Sequence, residues 1–218
     1  MRRVRLSTVV TISFLALTAA VSPANASGVA RARVQVRVYD TTVMLAADQT
    51  VALRAAAGVL AAAGIDVTWV MCGEAGSGNP RVCDVPIGRS EVEVRLVRLP
   101  GVTSYRGELE LGYSLVDTTA TAGALATIYV DRVQWLAAQS GVESPFVIGM
   151  AIAHEIGHLL LGTNKHSASG LMRAVWSRQE LHRHEATDWR FTKDQAAGMV
   201  RAMRDREMQM ASNIIWGE

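Results

Sequence analysis

The run His-Glu-Ile-Gly-His carries His154, Glu155 and His158. Two imidazoles four residues apart lie one turn apart on the same face of a helix, where both can reach one metal ion. Glu155, beside the first, is placed to take a proton from a water on that metal. These residue types at this spacing point to zinc-dependent hydrolysis, with a peptide bond as the expected target. The plain alternative is a pair of core histidines hydrogen-bonded to carbonyls.

A helix must carry these side chains, and the surrounding residues supply one. From Pro145 to Leu161 the chain is apolar almost all round, and such a helix belongs in a core. Ser144 suits the N-cap and Pro145 the first helical position. Gly162 suits the left-handed residue that ends a helix. His154, Glu155 and His158 are its only ionisable groups. Burying a carboxylate beside two imidazoles costs several kcal/mol unless something offsets it. A divalent cation at a water-filled cleft would do so.

A catalytic zinc site takes three protein ligands and leaves one position open. The chain must therefore turn back after the helix. Gly162 permits the reversal, and His166 is the nearest imidazole beyond it. Glu180, His182, His184, Glu185 and Asp188 are the other donors that could complete the set. Ser167, Ser169 and Gly170 form a turn-prone segment leading to Leu171 and Met172.

The order His-Glu-x-x-His, a Gly, a third His followed by Ser, and a nearby Met resembles the metzincin clan of zinc endopeptidases, and within it the matrixins. The resemblance implies one catalytic zinc ion held by His154, His158 and His166, with Glu155 as general base. It implies that Met172 is the Met-turn residue, beneath the metal without binding it; read alone, Met172 is a core filler. It also implies a twisted sheet whose edge strand pairs with an extended peptide substrate. The clan pattern puts Gly three and the third His six residues after the second His. Here Gly162 comes four after His158 and His166 eight after, with Asn164 where the pattern expects the ligand. The reversing loop is thus two residues longer. A later Glu, Asp or His ligand would make the chain a different zincin, and a non-catalytic secreted metal-binding protein is the third reading.

The N-terminus suggests the compartment. Arg2, Arg3 and Arg5 precede an apolar run from Val9 to Val21, and Ala24-Asn25-Ala26 supplies small residues for cleavage. Residues 1–26 read as a secretory signal, and 27–218 as one metallopeptidase-like domain. The net charge of +2 includes three leader arginines, so the mature chain stands near −1. That gives no electrostatic case for nucleic acid. The expected partner is a peptide or protein substrate, with no membrane association after signal removal and a monomeric state. Cys72 and Cys83 are the only cysteines, and in a secreted chain they suggest a disulfide.

Upstream, Val34–Tyr39 alternates as a strand, residues 48–63 read as an Ala-rich helix ending at Gly64, and Ile65–Met71 as a second strand. This order favours a parallel pair with a right-handed crossover. Further strands are expected around Val92–Leu99, at Gly112–Val116 and at Ala126–Val130, then a short helix over Asp131–Gln139. Gly112, Tyr113 and Ser114 are candidate substrate-pairing residues by strand addition, the alternative being an ordinary hairpin strand. Residues 177–190 are polar and expected to be an exposed helix or loop. Thr192 and Gln195 form a capping box for a last helix with Ala196, Met199, Val200 and Met203 on its buried stripe. The expected fold is α+β with an α/β-type upper part: a zincin-like mixed sheet with a crossover helix, a buried active-site helix, a Met-turn and a C-terminal helix.

Overall fold

A computed structural model describes residues 31–73, 80–99, 109–120, 122–183 and 185–216. The expected signal, residues 1–26, lies outside them. The described order is β1 (Ala32–Asp40), α1 (Ala46–Ala62), β2 (Ile65–Cys72), α2 (Pro80–Cys83), β3 (Glu91–Val97), β4 (Gly112–Asp117), β5 (Ala122–Tyr129), α3 (Val130–Ser140), α4 (Ser144–Leu161), α5 (Arg178–Arg183), a 3₁₀ turn at Ala186–Trp189, and α6 (Lys193–Trp216). The five strands form one mixed sheet in the order β2-β1-β3-β5-β4.

The period-two alternation of β1 turns Val34, Val36 and Val38 inward, all essentially without exposure. Val92, Val94 and Leu96 of β3, and Ala126 and Ile128 of β5, continue the same apolar face. β1 pairs in parallel with β2 and β3, and β3 with β5. The expected β1-α1-β2 crossover is present, and α1 closes at Ala63 with Gly64 turning the chain into β2. β4 runs antiparallel to β5 at the edge, and its register slips between Leu115 and Val116. The far edge, β2, carries the disulfide Cys72–Cys83, whose Cα atoms are 5.7 Å apart.

α4 packs between the sheet and its fellow helices, touching α1, α3, α6, β4 and β5. That enclosure explains its unbroken apolar surface: Val147 to Leu160 are all buried. By length and composition it could cross a membrane, but here it is the core helix. The outer surface of the sheet is polar by contrast. Arg37 projects there and is nevertheless buried, because the chain after α2 folds over it. Its guanidinium donates to the carbonyls of Val85 (2.7 Å) and Pro86 (3.3 Å) and pairs with Glu91.

Several boundaries move by a residue or more. α4 begins at Ser144 itself, with Glu143 at the N-cap position and no side-chain cap. Val130 opens α3 rather than closing β5, and β3 ends at Val97. The capping box of α6 forms as expected: the Thr192 amide donates to Gln195 Oε1 (2.9 Å) and the Gln195 amide to Thr192 Oγ1 (3.3 Å). Met199 and Met203 lie at 0% exposure on its inner stripe. The segment 177–190 is less exposed than its composition suggested. Leu181 and Trp189 are buried, holding α5 and the 3₁₀ turn against the core.

Candidate active site

α4 presents His154, Glu155 and His158 near its C-terminal end, all buried. Gly162 then takes φ 62°, a left-handed value that a side chain would resist. The reversal brings the Thr163 carbonyl to 2.7 Å from His158 Nδ1. Three residues further on, the chain presents His166. The two extra residues of this loop bulge outward, with Asn164 and Lys165 exposed. Beyond it, the Ser167 amide donates to the Met172 carbonyl (2.8 Å) and closes a turn.

The three imidazoles converge. His158 Nε2 lies 3.1 Å from His154 Nε2 and 3.3 Å from His166 Nε2. His154 Nδ1 sits 2.9 Å from the Leu171 carbonyl. A carbonyl can only accept, so Nδ1 of His154 and of His158 must carry the proton, and their Nε2 atoms face one another as bare lone pairs. Protonation does not relieve this contact, because burial lowers the His154 pKa to about 3 and lowers that of His158 as well. Two lone pairs at hydrogen-bond distance repel unless a cation lies between them. Nitrogens about 2.0–2.1 Å from one tetrahedral ion stand about 3.3 Å apart, close to the 3.1 and 3.3 Å that separate His158 Nε2 from the other two. His154, His158 and His166 therefore suit a zinc ion, and the carbonyls at Nδ1 are the outer partners such ligands need.

Two features of this shell were not legible in the chain. Main-chain carbonyls of Leu171 and Thr163 carry no side-chain signature. Trp176 donates its Nε1–H to the same Leu171 carbonyl (3.3 Å) and sets its ring edge-on to His154 at 5.7 Å. Met172 is fully buried, with its thioether against Gly157 in the turn between the two helical histidines.

The other candidate ligands are engaged elsewhere or point away. Glu180 closes a capping box with Ser177: the Ser177 amide donates to Glu180 Oε2 (2.9 Å), and the Glu180 amide to Ser177 Oγ (3.2 Å). The Ser177 amide, with Arg173 and Arg183 nearby, holds the Glu180 carboxyl below the usual range. Arg173, buried beside Met172, reaches Glu180 at 3.4 Å and Asp188 at 3.5 Å. His182 is exposed, and Glu185 is exposed and 3.8 Å from Arg183. His184 lies outside the described residues. Among the described residues, His154, His158 and His166 are the one set of His, Cys, Asp or Glu side chains grouped to hold an ion.

Glu155 is 6% exposed. Burial pushes its pKa up to about 7, opposed by Ser114 and aided by Glu110. A cation on the neighbouring imidazoles would draw it down again. β4 passes directly over this side chain. Ser114 Oγ lies 2.7 Å from Glu155 Oε2, whereas Tyr113 faces the opposite side of the sheet, 6.1 Å from the Tyr129 ring. A cavity of about 680 Å³ opens beside His154, Glu155 and His166, walled by Leu111, Trp135, Leu136, Val175 and Trp176.

No protein-family model matches the sequence, and no curated protein does. Solved structures with a similar fold include archaemetzincin from Methanopyrus kandleri, at 14% identity and TM-score 0.46, with 79% of this chain and 96% of that one covered. Metalloproteinase-II from Bacteroides fragilis aligns at 16% identity and TM-score 0.46, over 79% of this chain and 53% of that one. A zinc-dependent peptidase from Methanocorpusculum labreanum aligns at 14% identity and TM-score 0.47, over 75% of this chain and 99% of that one. These likenesses are remote. The functional reading rests instead on the three imidazoles, the carboxylate and the edge strand above them.

Proposed function

We propose that the protein is a secreted, zinc-dependent endopeptidase of the metzincin type. The observation that carries this reading is the convergence of three imidazoles beside a buried carboxylate. A structural zinc site is closed by four protein ligands, whereas here three donors are grouped and two of them, His154 and His166, line an open cavity.

Bound between the imidazoles, zinc supplies Lewis acidity: it lowers the pKa of a water toward 7 and polarises a carbonyl. The rest falls to the chain. β4, an edge of the sheet among the described residues, offers that edge to an extended peptide, fixing the scissile bond over α4. Glu155 accepts the proton of the attacking water on a carboxylate oxygen and returns it to the departing amine. The aromatic and aliphatic cavity beside His154 receives a bulky apolar side chain next to that bond. Met172 supports the ligand helix from below. Residues 1–26 direct export, in keeping with the Cys72–Cys83 disulfide, and the mature chain acts as a monomer.

The test is direct. The mature chain should retain one zinc ion after dialysis and cleave casein or a labelled peptide, with activity abolished by a chelator and restored by zinc. The Glu155→Gln variant should keep its zinc and lose turnover by at least about 100-fold, the lower range of general-base contributions. Full activity in that variant, or a folded chain without zinc after exposure to micromolar metal, would overturn the reading.

A further inference from the structure

β4 does more than lie at an edge. Gly112 and Ser114 face α4 while Tyr113 and Leu115 face away. A Cβ at Gly112 would come within 2.6 Å of the Thr127 carbonyl and 3.1 Å of Glu155 Cγ, so the strand rests on the glutamate itself. Ser114 Oγ then bridges two atoms of one residue: Glu155 Oε2 at 2.7 Å and the Glu155 carbonyl at 2.8 Å. Among the described residues no other side chain or amide donates to this carboxylate.

We propose that Ser114 is a positioning residue, whose hydroxyl fixes the Glu155 carboxylate and ties it to the strand on which substrate docks. This rests on the peptidase reading above. A glutamate side chain rotates about three bonds, and a buried one without a donor samples several orientations. One hydrogen bond from a neighbouring strand selects a single orientation. A hydroxyl has one proton and two lone pairs. It can donate to the carboxylate, or donate to the Glu155 carbonyl while accepting from the protonated acid, so the link survives both states of the base. The side chain points inward, away from the edge a peptide would pair with, so its hydroxyl serves the glutamate while the main chain of the strand stays available for strand addition. Peptide and base are thereby held by the same strand, three residues long at the point of contact, from Gly112 to Ser114.

The experiment compares Ser114→Ala and Ser114→Thr in the mature chain, with zinc affinity, kcat, KM and a metal-free crystal structure for each. Ser114→Ala should bind zinc as tightly as wild type, keep KM within about twofold, and lose about 10–100-fold in kcat, the scale of a misplaced catalytic group. Its Glu155 carboxylate should leave the position seen here or occupy more than one. Ser114→Thr, which keeps the hydroxyl, should restore both. A loss confined to KM would return Ser114 to substrate contact. Unchanged kcat, an unmoved Glu155, or loss of zinc or of the fold in Ser114→Ala would each overturn the proposal. If Glu155 moves in Ser114→Ala but the wild-type chain cleaves no peptide, the positioning role stands and the peptidase reading falls.

Discussion

The His166 imidazole is the one donor that α4 does not supply, and it is also the exposed one of the three. Its replacement by alanine leaves His154 and His158 in place, so the helix should stay folded while zinc affinity falls. The loss should exceed the roughly 10–100-fold typical of an outer partner, because a ligand itself is gone. Competition against a chromophoric chelator measures it, and an undiminished affinity would move the third ligand elsewhere. Glu155 makes a second, metal-free prediction. Its pKa of about 7 in the fold exceeds its ordinary 4.5, so the native state holds more protons than the unfolded one between those values. Stability from this group is therefore present at low pH and lost as pH rises through 7. His154, lowered to about 3, acts in the other direction, costing stability as pH falls below its ordinary 6.5. Subtracting Glu155→Gln from wild type isolates the glutamate. At pH 8 without metal the variant should be more stable by about 3 kcal/mol, and the gap should close near pH 4. Denaturant unfolding at the two pH values checks this.

At the scale of elements, the disulfide and the site lie on opposite edges of the sheet, on β2 and below β4. Cys83 is held close to the sheet, its carbonyl accepting from the Tyr39 hydroxyl (3.2 Å), and the chain that follows it covers Arg37. Reducing the bond frees a ring spanning 11 residues and should cost about 3 kcal/mol in the chain-entropy account. Zinc affinity should not change, since no ligand belongs to that edge; a fall in affinity on reduction would show coupling across the sheet. The same division separates what could be read in advance from what could not. α4, its glycine stop and the capping box at Thr192 are local patterns, and the β1-α1-β2 crossover follows from the order of three consecutive segments. The Ser114–Glu155 contact joins residues 41 apart, and no periodicity in either segment announces it. The segment 177–190 read as solvent-facing because its charges outnumber its apolar residues. Leu181 of α5 and Trp189 of the 3₁₀ turn are its anchors, and Arg173 gathers the carboxylates of Glu180 and Asp188 inward.

For the whole molecule, metal and fold are linked. A ligand that binds only the native state stabilises it by about 4 kcal/mol at a thousand times its dissociation constant. The site gathers side chains from α4 and from the loop behind it, and its outer carbonyls from Thr163 and Leu171, so zinc should raise the melting temperature well above that of the chelated protein. Calorimetry with and without chelator reads the shift, and equal melting temperatures would mean that the imidazoles do not share an ion. One further consequence belongs to β4. An unguarded sheet margin invites a second copy of the same chain as readily as a substrate, and long margins of this kind nucleate fibrils. The slip between Leu115 and Val116 breaks the ladder after four residues and increases the local twist. A short segment can therefore zip against Gly112–Leu115, while indefinite stacking of neighbouring molecules is denied a straight template.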